Sequence, residues 1–407
     1  MKISTYDSVD LNTLQSDTQT MQSNDFDGLD VTRLAFDSGR MAAGLRTWVE
    51  TESPTYERDA VNRMMNLAAH DLALLGAVVQ RIPGTRGFGD CVKASFPHSQ
   101  AGRPGILVLG HMDTVHPLGT IEHFAWREQD GRCYGPGVLD MKAGNYLALE
   151  AIGQLTRIGH QTPLPVTVLF TSDEEVGSPS TRALIEAEAA RHRYVLVPEP
   201  ARRNGGVVTG RYAIARFDIE TRGRPSHAGL RLGEGVSAIR EMAHQIIAVE
   251  AMTDAEAGYS VGVVEGGRWS NCVSTTCRAK ALVSATTDEK LAEAIGRMER
   301  LEPVGQDVQV LVSRDVVRPV WAASPASWAL YEHAARLAQA IGLDIPHQDS
   351  GGGSDGNFTG AMGIATLDGL GARGDGPHTL EEHIVTESLA ERARLVAALL
   401  ATLDGSV

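Results

Sequence analysis

Three short runs, Ile106–Leu109, Val166–Phe170 and Tyr194–Val197, are almost wholly aliphatic, β-branched or aromatic and are bounded by Gly and Pro. Runs of that length without polar alternation are strands buried on both faces, as in a parallel sheet. Ala77–Ile82 and Cys91–Phe96 read as two further strands. Around them the apolar spacing becomes helical: over 31–75 with a break at Ser53-Pro54-Thr55, over Asn145–Ile158 and over Thr181–Arg191. Strands alternating with helices predict an α/β fold, a sheet with helices on both faces.

Near Thr209 the texture changes. Tyr212–Glu220 alternates like a half-exposed strand, Gly235–Val249 is helical, Ser260–Val264 and Cys277–Ala285 are strands, Glu289–Leu301 is a helix and Val308–Val312 closes the series. Strand-helix-strand-strand-helix-strand is the split ferredoxin-like order. It predicts an inserted unit over 211–317 within a discontinuous one formed by 29–210 and 318–407. Residues 1–28 are rich in Ser, Thr, Asp and Gln, and read as a loosely ordered extension, not a secretory signal.

A chain of 407 residues exceeds what one hydrophobic core usually serves, in keeping with two units. The net charge of −14, from 37 basic and 51 acidic residues, argues against nucleic acid or an anionic membrane as partner. No run is long enough to span a bilayer. Cys91, Cys133, Cys272 and Cys277 lack zinc-binding or redox spacing, so free thiols in a reducing compartment, by default the cytoplasm, are expected.

Five segments carry candidate chemistry: His111-Met112-Asp113, the loop Gly137–Lys142 around Asp140, Asp173-Glu174-Glu175, Pro198-Glu199-Pro200 and Gly376-Pro377-His378. Taken alone, Asp173-Glu174-Glu175 reads as a solvated acidic turn. Position changes that reading, because His111, Glu174 and Glu199 each follow one of the three buried runs. Ligands of open α/β sheets bind beyond the carboxyl ends of the strands. Two His and several carboxylates converging there are a donor set for divalent cations.

In their order along the chain these segments, together with Ser226-His227-Ala228-Gly229 and Gly351-Gly352-Gly353-Ser354-Asp355, resemble the M20 metallopeptidase family. Its members include glutamate carboxypeptidase, which looks most similar, as well as acetylornithine deacetylase and aminoacylase. The resemblance implies a mixed-sheet catalytic domain binding two metal ions and an inserted α+β lid that forms a homodimer. Asp140 is then the bridging ligand, with His111 and Glu199 on one ion and Glu175 and His378 on the other. Zn²⁺ suits these donors, as do Co²⁺ and Mn²⁺. Glu174 is the implied general base, and Asp113 the carboxylate that orients His111, its plainer role being to cap the following turn. His227, otherwise a surface histidine, is implied to stabilise the oxyanion in the partner subunit. Asn271, Arg318, Gly352, Gly353 and Ser354 fall at substrate-binding positions, Arg318 as a clamp for a substrate carboxylate.

Two departures bear on the substrate. No cation stands in Asn204–Gly210, where carboxypeptidase-like sequences place one, Arg211 being the nearest; and the family's Asp-x-Arg is replaced by Leu282-Val283-Ser284. Trp269 and Trp321 read either as packing or as walls of an aromatic pocket. The expected function is hydrolysis of an amide C–N bond next to a carboxylate, in an N-acyl amino acid or aminoacyl-glutamate. Its alternatives are an aminohydrolase or deacylase of an aromatic amide or amine, and an inactive binding protein of the same fold.

Overall fold

The computed structural model describes residues 25–26 and 29–407. The expected N-terminal extension lies outside the described residues except for Asp25–Phe26, which pairs with Leu29–Asp30. The larger sheet has six strands in the spatial order Ala365–Leu367, His192–Leu196, Gly105–His111, Val166–Thr171, Cys91–Ser95 and Val78–Ile82. The first four are mutually parallel and Cys91–Ser95 is antiparallel to both its neighbours, so the sheet is mixed.

Burial on both faces explains the uninterrupted apolar runs. Ile106, Val108, Val168, Phe170 and Leu196 join the core beneath the helices Ser38–Glu50, Ala143–Arg157 and Glu387–Thr402. Their neighbours Leu107, Leu109, Leu169, Val195 and Val197 point the other way, packing with Ile185, Ala189 and Phe358. Period-two geometry makes consecutive residues serve opposite faces. Polar residues are therefore displaced to the strand ends, where the site forms.

The chain from Ala213 to Arg318 forms an antiparallel sheet of four strands ordered Ala257–Gly266, Thr276–Ala285, Ala213–Arg222 and Gln309–Arg318. Helices Ala238–Glu250 and Asp288–Glu299 begin at Ser237 and Thr287, whose side chains accept N–H groups of Arg240 and Lys290. Alternation works here too: Phe217, Ile219, Ala279, Ala281 and Val283 form a separate core, while Asp218, Arg278 and Lys280 lie on the opposite face, as does Arg216, which donates to the Glu175 carbonyl at 3.0 Å. The last strand runs six residues beyond the predicted Val312, because mixed residues such as Arg314 and Asp315 hide a strand that pairs with the 214–218 stretch.

A second small sheet, of four short strands, lies beside the larger one in the chain's first unit. The hairpin Arg127–Gln129 and Arg132–Tyr134 turns at Asp130-Gly131, both with positive φ, and pairs onward with His383–Val385 and then Gly374–Asp375. Its last connection, 376–382, carries His378, so this sheet sets where the final ligand stands.

Candidate metal centre

The ends of three parallel strands bring the residues that follow them to one edge of the sheet. His111 ends one strand, Glu174 and Glu175 form a 3-10 turn just past Thr171, and Glu199 follows Leu196 after Val197-Pro198. Asp140 comes from a loop that enters helix Ala143–Arg157, with a cis peptide between Asp140 and Met141. His378 adopts φ 64°, a left-handed conformation uncommon for histidine and associated with functional turns.

Asp140 is shared. Its Oδ1 lies 3.2 Å from His111 Nε2 and its Oδ2 3.3 Å from His378 Nε2. Glu199 stands 3.7 Å from His111 Nε2, and Glu175 3.2 Å from His378 Nε2. Two three-donor groups result, His111–Asp140–Glu199 and Asp140–Glu175–His378, the donor atoms of each lying within 4.8 Å of one another.

The electrostatics fit divalent cations. Burial pushes Glu175 up to about 8, Asp140 adding to the shift, and burial and Asp140 also raise Glu199 well above the carboxylate range. Hydrogen bonds to Asp140 and Glu175 raise His378 to about 11. Burial opposes charge on His111, yet Asp113, Asp140 and the nearby glutamates lift it well above an ordinary histidine. Without cations the cluster thus retains protons to offset its negative charge. Glu175 Oε1 is moreover buried with no hydrogen-bond partner, an atom that a cation would satisfy. The residues present fit a pair of divalent ions.

Asp113 differs from its expected role. His111 Nδ1 is 3.0 Å from the Asp113 backbone carbonyl and 3.5 Å from its carboxylate, so the carbonyl takes the imidazole N–H. The carboxylate instead accepts the N–H groups of Glu174 and Glu175 at 3.1 and 3.2 Å and the Thr55 hydroxyl at 2.7 Å. It caps the turn that presents both glutamates.

Arg318 requires a correction. It is buried, and its guanidinium contacts Glu174 Oε1 at 2.8 Å, Asp355 at 3.1 Å, the Glu174 carbonyl at 2.8 Å and Ser178 Oγ at 3.1 Å. A fork committed to two protein carboxylates is not free to clamp a substrate carboxylate. It holds Glu174 instead. Ser354 is likewise fully buried, its hydroxyl donating to Asp368, so it offers nothing to a substrate. Gly353 lacks a side chain because a Cβ would lie 2.9 Å from Arg318 Cδ, whereas Gly352 is open to solvent. Arg211 is paired with Asp368 at 2.7 Å and is also no substrate cation.

Trp321 is buried against Gly356 and Gly360, which makes it packing; Trp269 is 74% exposed. His227 and Asn271 lie together on the inserted unit, where the Asn271 carbonyl accepts the Ala228 N–H and His227 pairs with Cys272. The hydrogen bonds of His227 among the described residues all stay in that loop. Asp355 and Glu382 have roles that the sequence does not reveal, although Asp355 closes the Gly-rich motif and Glu382 lies four residues after His378.

Residues 107–402 match Peptidase family M20/M25/M40. Carboxypeptidase G2 of Pseudomonas sp. strain RS-16 is 28% identical over 366 residues, covering 88% of this chain and 87% of the relative. Acetylornithine deacetylase of Myxococcus xanthus is 30% identical over 194 residues, 44% of this chain and 49% of the relative. Among solved structures, human carnosine dipeptidase 1 shares the fold with a TM-score of 0.73 at 15% identity, over 92% of this chain and 99% of that one. An M20 family metallo-carboxypeptidase of Sulfolobus solfataricus does so at 0.70, with 15% identity over 90% and 99%. With the match spanning most of its length and the donor set in place, this chain belongs to the M20 peptidase family and is a metal-dependent hydrolase.

Proposed function

We propose that this protein hydrolyses an amide C–N bond next to a carboxylate, in an N-acyl amino acid or aminoacyl-glutamate, with two divalent ions, Zn²⁺ foremost. The observation that carries the reading is Asp140, whose two oxygens face His111 and His378 and so join two donor groups. Ions held there would polarise the scissile carbonyl and acidify water. Glu174 is the base: Arg318 fixes its Oε1, leaving Oε2, 3.9 Å from His111 Nε2, to take a proton from the attacking water. Burial raises the Glu174 pKa against the pull of Arg318, which favours accepting that proton. The water oxygen bonds to the carbonyl carbon, the C–N bond breaks, and Glu174 passes its proton to the departing nitrogen.

The test is Glu174→Gln in metal-loaded protein, assayed on acyl-glutamates and acyl-aromatic amino acids. Loss of turnover by ~100-fold or more with metal content unchanged is expected for a general base; near-normal turnover refutes the assignment.

A second observation favours an aromatic acyl group. A cleft of about 610 Å³ opens beside the Glu174 turn, with Val176 and Pro179 on one wall and the outward residues Lys280 and Leu282 of the inserted sheet on another. Tyr56 and Phe88 flank it, their ring centroids 6.1 Å apart. These rings, and not Trp269 or Trp321, supply the aromatic surface. Phe88→Ala should raise KM for acyl-aromatic substrates by roughly tenfold, the scale of an aromatic contact, and spare acetyl substrates. Equal effects on both would remove this reading.

The same proposal divides the chain into 29–210 with 318–407 and an inserted 211–317, makes it a cytoplasmic homodimer, and gives the oxyanion contact to His227 of the partner subunit. The exposed edge strand Ala257–Gly266 and Ile247, 69% exposed on the adjacent helix, support the dimer. Among the described residues no helix is long and apolar enough to cross a membrane.

A further inference from the structure

Glu382 is buried and uses both carboxylate oxygens twice. Oε1 accepts the backbone N–H of Leu139 at 2.8 Å and of Asp140 at 3.0 Å. Oε2 accepts the backbone N–H of Gly137 at 3.0 Å and lies 2.7 Å from His116 Nε2, which must carry the proton opposite a carboxylate. Each partner belongs to a ligand-bearing segment. Gly137–Asp140 presents the bridging aspartate, His116 lies five residues beyond His111, and Glu382 itself closes the turn that carries His378, through bonds from Glu382 N to the Thr379 carbonyl and from Thr379 N to the Gly376 carbonyl. One carboxylate therefore ties together the three segments through hydrogen bonds that involve none of the cation donor atoms.

The loop it grips needs such a partner. Asp140 and Met141 leave helical φ/ψ just before helix Ala143–Arg157, so their neighbouring N–H groups have no intrahelical acceptor. A buried N–H left unpaired is costly, and an acceptor arriving from a distant segment fixes both partners at once. The geometry points to Glu382 as the positioning residue for the bridging ligand. It sets the Asp140 loop relative to His378 and, through His116, to the His111 strand, so that two cations can share Asp140. It touches neither the cation donors nor the substrate. The inference rests on the two-ion reading, and its test separates the two.

Full-length wild-type protein and Glu382→Gln are stripped with chelator and titrated with Zn²⁺ and, separately, Co²⁺. Stoichiometry, affinity and the Co²⁺ absorption spectrum are recorded, with circular dichroism as the fold control. A glutamine keeps the shape but turns an NH₂ toward at least one pair of donors. Wild type taking up two ions while Glu382→Gln loses ten- to a hundredfold in affinity for at least one, with an altered Co²⁺ spectrum and a fall in kcat at little change in KM, is the expected result. Wild-type affinity, spectrum and kcat in a folded Glu382→Gln overturn the inference and leave the two-ion reading standing. Wild-type protein that takes up no ion overturns both. Should Glu382→Gln not fold, His116→Gln, which preserves the three backbone bonds, carries the test: weakened metal binding supports the coupling of segments, and unchanged binding overturns it.

Discussion

At the scale of single residues, the cluster shows why a ligand set can be read from a chain while the duties around it cannot. Donor residues stand out by type at strand ends and turns, the family resemblance names His111, Asp140, Glu175, Glu199 and His378 among them, and the structure brings these five into two adjoining groups. Arg318 and Asp113 are equally visible as letters, but their partners decide what they do, and the partners come from elsewhere in the chain. The titration of the cluster has a consequence for metal uptake. Glu175, near 8, and His378, near 11, hold protons that an entering cation must displace. Folded-state pKa values above ambient pH mean that binding releases protons, so affinity rises with pH. Zn²⁺ affinity, measured by competition with a chelator, should increase by at least ~tenfold per unit between about pH 6 and 8. A flat profile would show that the ligands are already deprotonated.

At the scale of elements, close approaches register the site. Gly144, in the first turn of helix Ala143–Arg157, faces the Pro198 carbonyl, and a methyl there would overlap that oxygen. The helix start therefore abuts the segment bearing Glu199, and the Asp140 loop leads directly into that helix. Gly144→Ala should separate the two ligands of one ion, costing about 1–3 kcal/mol in stability and weakening metal uptake at His111–Asp140–Glu199. Thermal melts of metal-free and metal-loaded protein test this: unchanged melting in both states would mean that the helix shifts freely. Long, periodic elements were legible because burial on two faces fills them with aliphatic residues. The small sheet around His378 was not, since strands of two or three residues carry no periodicity.

At the scale of the whole molecule, His227 gives the sharpest test. If it serves the partner's site, Glu174→Ala and His227→Ala proteins are each inactive alone, but mixed and allowed to exchange they form heterodimers with one intact site. Random exchange then restores roughly a quarter of wild-type activity, as a two-fold dimer requires. No recovery, with heterodimers shown by mass, would confine His227 to its own subunit or to a structural role.

The order of the motifs and the alternation of strand and helix made the family resemblance and the fold class legible in the sequence, and the resemblance supplied the candidate ligands. Period and residue type are local properties, so a chain displays them directly. Only the tertiary structure decided that the Asp113 carboxylate caps the glutamate turn, that Arg318 grips Glu174, that Trp321 is packing and that Glu382 binds three segments. Each of those roles is a hydrogen bond or contact between residues far apart in the chain, and such pairings exist only once the chain has folded.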